Sequence, residues 1–84
     1  MIRTLKRVKV DGVIFRIGDV VETDAEYDAK YKEHIEGVLK YITVYEPPKG
    51  SAFSHYLPWF DIDDTKGRRR VISSYWIRKW KKKT

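Results

Sequence analysis

Hydrophobic and polar residues alternate most clearly between Arg7 and Arg16, where Val8, Val10, Val13 and Phe15 fall on one face of the two short runs that flank an Asp11-Gly12 pair. Asp-Gly is the dipeptide that two-residue type I′ turns prefer, because both central positions need positive φ. The turn sets Val10 opposite Val13, Val8 opposite Phe15, Lys9 opposite Ile14 and Arg7 opposite Arg16. One face of this predicted hairpin is apolar, continuing to Ile17, and the other is mostly basic. Pattern and turn agree on the register, which fixes which side chains face the core. Gly18-Asp19 breaks the strand and Val20-Val21 resumes it.

The next segment changes period. Thr23-Asp24-Ala25-Glu26 has the spacing of a capping box, and Tyr27, Tyr31 and Ile35 follow at i, i+4, i+8, so the pattern predicts a short helix at about 24–35 with Gly37 as its stop. The alternative is an ordered loop whose tyrosines fold back on the sheet. From Val38 to Glu46, Val38, Lys40, Ile42 and Val44 alternate with Leu39, Tyr41, Thr43 and Tyr45. Two part-apolar faces predict a central strand. Pro47 to Ser51 reads as a loop, and Ala52 to Phe60 as a returning strand with Phe53, His55, Leu57 and Trp59 on one face. Pro58 lacks an N–H and marks an edge or a bulge. Asp61 to Gly67 reads as a polar turn and Arg68 to Ile72 as a strand, while Ser73-Ser74 can cap a helical turn running through Trp80.

These elements predict a mainly β domain over residues 1–80, a small SH3-like barrel of about five antiparallel strands with one helical insertion and a C-terminal helical turn. Lys81 to Thr84 form a basic tail. The expected core contains Val8, Val10, Phe15, Ile17, Val20, Ile42, Val44, Leu57 and Ile72.

Phe15-Arg16-Ile17-Gly18-Asp19-Val20-Val21, Gly37 to Ile42, Trp59-Phe60 with Asp63-Asp64-Thr65, and Ser73 occur in the order seen in bromo-adjacent homology domains. Over residues 15–74 the chain resembles that family and related SH3-like barrels. The resemblance implies a non-catalytic module that binds proteins, histone tails or DNA.

Composition narrows the function classes. The chain has 84 residues, a net charge of +6, and no cysteine, so neither a disulfide nor a thiolate metal site is available. No apolar run approaches the roughly 18 residues of a membrane span, and the simplest reading is an intracellular domain of cytoplasm or nucleus without a membrane partner. Charge is sorted by position: residues 1–16 carry five basic groups against Asp11, residues 17–65 carry four lysines against eleven acids, and residues 66–84 carry nine basic groups and no acid. Basic ends folded together would make a face for a polyanion.

Arg68, Arg69 and Arg70 form one basic run, with Arg69 expected on the opposite strand face from its neighbours. Arg78, Lys79, Lys81, Lys82 and Lys83 form a second, interleaved with Trp76 and Trp80. Guanidinium forks match phosphate, ammonium groups add point charge, and indoles stack on unpaired bases. The expected nucleic-acid contacts are therefore Arg68, Arg69, Arg70, Arg78, Lys79, Trp80, Lys81, Lys82 and Lys83, extended by Arg7, Lys9 and Arg16. Trp76 reads better as a cap on the core, and Trp80 fits either role. The alternative for the basic tail is a solubility device or a nuclear-localisation signal only. The competing class is a protein-interaction module: an acidic partner would dock on the basic ends, a basic one on Asp19, Glu22, Asp24, Glu26 and Asp28, and a second copy by pairing the two or through a strand edge.

Other chemistries have less support. His34 and His55 lie on different elements, and no catalytic set is expected. Asp61-Ile62-Asp63-Asp64 is dense enough for a hard cation, yet Thr65 stands where an EF-hand wants another acid or amide, so the segment reads as a solvated turn and no metal or cofactor is expected. Tyr41, Tyr45, Tyr56, Trp59 and Phe60 with Asp61 or Asp63 offer the parts of a methyl-lysine cage, or of a core.

Overall fold

The computed structural model describes residues 2–45 and 57–80. It is mainly β and antiparallel, with one helix: β1 (Ile2–Leu5), β2 (Arg7–Val10), β3 (Val13–Arg16), β4 (Val20–Thr23), α1 (Ala25–Tyr31), β5 (Glu36–Tyr45), β6 (Trp59–Asp64), β7 (Arg69–Ser73), a 3-10 turn (Ser74–Trp76) and β8 (Ile77–Lys79). The expected strand count of about five rises to eight among the described residues because bends at Lys6 and Gly18 divide the N-terminal strands and the C-terminus adds another.

The long strand β5 organises the sheet. Along one side it pairs with β6; along the other, its first half pairs with β4 (Val20↔Val38) and its second half with β1 (Leu5↔Ile42). The path runs β7-β6-β5-β4-β8, with no pairing between β7 and β8 among the described residues. β2 and β3 form a separate two-stranded sheet in the expected register, Arg7↔Arg16 through Val10↔Val13, with Asp11 at φ 48° and Gly12 at φ 79°.

Phe15, Val21, Tyr27, Ile35, Leu39, Ile42, Phe60, Ile62, Ile72 and Ile77 make the core, with the Phe15 and Phe60 rings 5.0 Å apart. Of the expected core, Phe15, Ile42 and Ile72 are buried, Val8 and Val10 pack partly against it, and Val44 is half-buried. Ile17, Val20 and Leu57 are exposed. The cause at Ile17 and Val20 is the turn at Gly18 (φ 97°), where Asp19 N–H donates to Arg16 O and the Asp19 carboxylate accepts from Arg16 N. This turn resets the alternation, so Val21 and Thr23 point inward. A bulge between Leu39 and Tyr41 does the same in β5, placing Leu39 and Ile42 on one face although the plain alternation separates them.

The helix begins one residue later than the capping box predicts and ends earlier. Asp24 is the cap, accepting from Tyr27 N at 2.8 Å, and the helix stops at Lys32 in the left-handed region (φ 57°). Thr23 is unavailable as a cap because it is the last residue of β4. Its hydroxyl accepts from Ile35 N at 3.0 Å and donates to Asp28 at 2.6 Å. Gly37 is no helix stop: it lies within β5 against β6, where a Cβ would meet the Asp63 carbonyl oxygen at 2.0 Å.

In β6 the faces are the reverse of those expected. Phe60 and Ile62 point into the core and Trp59 is exposed. Asp61 to Asp64 are strand rather than turn. Pro58 is neither at an edge nor a bulge: it sits just before a strand flanked by β5 and β7, where no ladder N–H is yet needed, and its carbonyl accepts from Ser74 N. Phe53, His55 and the Pro47 to Ser51 loop lie outside the described residues. Ser73 caps a helical turn as expected, but the turn ends at Trp76, and Ile77–Lys79 pairs with β4 instead of continuing to Trp80. Among the described residues no helix is long and apolar enough to cross a membrane.

Candidate nucleic-acid interface

The two basic regions differ in how their charge is already engaged. At the start of β7, Arg70 and the preceding Arg68 turn to Glu33 while Arg69 takes the other face, as the alternation requires. Arg70 holds Glu33 with its two terminal guanidinium nitrogens, Nη1 and Nη2, at 2.6 and 3.0 Å, and Arg68 lies 3.6 Å from the same carboxylate. The Arg70 hydrogen bond is the main reason that the Glu33 carboxyl titrates below its ordinary range. Arg69 is bound to Asp61 and lies over the Tyr41 ring at 5.4 Å. On β8, Arg78 bonds Glu22 at 3.0 Å and Lys79 lies 3.5 Å from Asp19. Each of these five cations meets an acid from the central, acidic part of the chain. Exposed pairs of this kind contribute little stability singly, the bidentate Arg70–Glu33 pair being the strongest in geometry. Their consequence for binding is larger, because a phosphate must displace the internal carboxylate.

The hairpin is arranged differently. Val8, Val10 and Phe15 anchor its inner face to the core, while Arg7, Lys9 and Arg16 are exposed on the outer face. Arg7 and Arg16 are direct cross-strand partners and Lys9 faces Ile14. Like charges opposite one another destabilise a ribbon, and among the described residues no acid side chain offsets these three by an ion pair. Arg7, Val8, Lys9 and Ile14 also line a shallow groove of about 200 Å³. The hairpin tip approaches the C-terminal strand: Val10, Asp11 and Val13 share a cavity of about 370 Å³ with Ile77, Arg78 and Lys79. The hairpin tip and β8 are thus neighbours, whereas β7 lies at the far end of the sheet path.

The aromatic residues divide between two environments. Trp76 packs on the core with Tyr27 and Tyr31, ring centroids 6.0 and 6.2 Å away, and Lys30 Nζ stands 5.5 Å from its ring. Trp80 is 40% exposed at the end of β8. The residues proposed for a cage do not share one site: Phe60 is core, Tyr41 meets Arg69, and Trp59 lines a different cavity with Tyr27, Tyr31 and Trp76. Tyr56 and Lys81, Lys82 and Lys83 lie outside the described residues.

The acids read from sequence as a solvated cluster have structural work. Asp64 is buried, and its carboxylate accepts from Lys66 N at 2.9 Å, Arg68 N at 2.8 Å and Arg68 Nε at 3.1 Å, closing the β6–β7 turn. These bonds, the Arg68 backbone N–H first, hold its pKa below the ordinary carboxylate value. A depressed folded-state pKa supplies stability that is present above the unfolded value of about 4 and is lost as pH falls through the folded value. Asp64→Asn should therefore be less stable than the wild type at neutral pH, with the difference closing below about pH 4, as read by denaturant midpoints at each pH. A constant difference across that range would contradict this assignment.

Sequence reasoning missed Glu33 as the anchor of two arginines, and His34, which sits among Glu22, Asp28 and Glu36. Comparison with known protein families, curated proteins and solved structures finds no match.

Proposed function

We propose that the chain is a non-enzymatic nucleic-acid-binding module, with DNA as first-choice partner, whose grip is the outer face of the β2–β3 hairpin. The observation that carries this reading is the exposed Arg7–Arg16 cross-strand pair with Lys9 beside it, three cations held together without an ion-paired acid among the described residues. A polyanion removes their mutual repulsion. A two-stranded ribbon also has the width to enter a major groove of about 12 Å. Lys81, Lys82 and Lys83 add phosphate contacts from the tail, and the exposed Trp80 stacks on an unpaired base. Arg68, Arg69, Arg70, Arg78 and Lys79, occupied by internal acids, contribute as a background field. No base-reading pattern accompanies the charge, so sequence preference is weak. The small SH3-like barrel expected over residues 1–80 belongs to the same proposal, with β5 bulged between Leu39 and Tyr41 and paired along both sides.

The protein-partner reading has less to draw on, because Asp19, Glu22, Asp24 and Asp28 are engaged internally. Anisotropy titrations at low salt with duplex DNA, single-stranded DNA and RNA test the proposal. Saturable binding to at least one supports it, and binding to none refutes it. Deleting residues 81–84 should weaken binding to all sequences alike and reduce the salt slope by about two to three units, with little change in melting temperature. An unchanged slope would take the tail out of the interface.

A further inference from the structure

Glu22 and Glu36 are direct partners across β4 and β5, an arrangement in which like charges cost stability. His34 stands between them, with Nε2 3.5 Å from Glu22 Oε2 and 3.5 Å from Glu36 Oε1. The three donor atoms all lie within 4.8 Å of one another. Four-coordinate zinc with bonds of about 2.0–2.1 Å separates its ligands by about 3.3 Å, close to the two His34–carboxylate distances of 3.5 Å.

We propose that Glu22, His34 and Glu36 form a binding site for a divalent transition-metal ion of the zinc type, with one coordination position left open. Beyond the spacing, the support is the setting of His34. Its Nδ1 meets Asp28 Oδ2 at 2.6 Å, the other Asp28 oxygen accepts from Thr23 Oγ1 at 2.6 Å, and Thr23, fully buried, is fixed by Ile35 N–H at 3.0 Å. A carboxylate on the far ring nitrogen is the partner that metal-ligating histidines carry, since it sets the tautomer and turns the free nitrogen toward the ion. Asp28 is thus a positioning residue. Arg78 occupies only Glu22 Oε1, leaving Oε2 directed at His34. Three carboxylates and one guanidinium leave two negative charges, which a divalent ion neutralises with a neutral imidazole. The donor set of one nitrogen and two oxygens selects against Mg²⁺ and Ca²⁺, which take oxygen ligands in larger number. The site is separate from the hairpin face and does not depend on nucleic-acid binding.

The competing arrangement is an imidazolium that itself serves as the cation. Titrating the chelator-treated full chain with Zn²⁺ by calorimetry, and with Co²⁺ by visible absorption, separates the two. The expected result is one equivalent of Zn²⁺ and a cobalt band of four-coordinate intensity, with neither Mg²⁺ nor Ca²⁺ competing. His34→Ala and Glu36→Gln should each weaken Zn²⁺ binding tenfold or more, Asp28→Asn should weaken it about 10- to 100-fold and shift the cobalt band, and His55→Ala should change neither. Glu36→Gln relieves a like-charge pair, so its fold is expected to survive, which circular dichroism checks. No uptake of Zn²⁺ or Co²⁺, or the same Zn²⁺ affinity in folded Glu36→Gln, would overturn the site.

Discussion

Replacing Arg7, Lys9 and Arg16 together by Gln should lower the affinity for duplex DNA on the order of a few hundredfold at about 0.1 M salt and reduce the slope of log K against log[salt] by about three units, because each phosphate contact contributes about 0.9. The wild-type slope expected from about four to six neutralised phosphates is about −4 to −5. Stability should hold or rise slightly, since the substitution removes the Arg7–Arg16 repulsion and leaves the anchoring Val8, Val10 and Phe15 in place. Arg70→Gln is the informative contrast. It breaks the bidentate pair to Glu33 and should lower the melting temperature while leaving the salt slope nearly unchanged. Anisotropy and thermal melts on the same preparations check both. A folded triple variant with the wild-type slope would remove the hairpin from the interface.

Gly37→Ala should be among the most damaging single changes to the fold. The added Cβ would lie 2.0 Å from the Asp63 carbonyl oxygen and 2.8 Å from the Asp64 Cα, and both are backbone atoms that no rotamer change can move. The β5–β6 ladder must part locally, costing about 3 kcal/mol or more, which for a domain of this size lowers the melting temperature by roughly 12–24 °C. Gly67→Ala is the control: its Cβ meets nothing within 4 Å, so only the strain of φ 76° is felt. Denaturant unfolding of the two should rank them clearly, and a cost under about 1 kcal/mol for Gly37→Ala would contradict the close strand approach.

What the sequence made legible was whatever short-range chemistry controls. The Asp11-Gly12 turn dictated its own register, and alternation into β7 placed Arg69 on the opposite face from Arg68 and Arg70. What it concealed were shifts of parity. The turn at Gly18 and the bulge before Tyr41 each move the inward face by one residue, so Val21 replaces Val20 and Leu39 joins Ile42. Neither has a sequence signature as strong as Asp-Gly. Thr23 misled for a related reason: its side chain suits a cap, but a tertiary contact to Ile35, twelve residues away, claims it. The same limit applies to the site. Charge sorting showed that the ends are basic and the middle acidic, yet only the fold decides which cations the middle neutralises. It pairs Arg68 and Arg70 with Glu33, Arg78 with Glu22 and Lys79 with Asp19, and leaves the hairpin's outer face without such partners among the described residues.

Backbone amide chemical shifts followed while a short DNA duplex is titrated into the isotope-labelled chain test the hairpin grip most directly. The account predicts progressive shifts concentrated in Arg7 to Arg16 and the C-terminal tail, reversed by added salt, with the amides of Arg68, Arg69 and Arg70 and of Glu33 nearly still. Shifts concentrated on β7 and around Glu33, or no shifts at low salt, would contradict it.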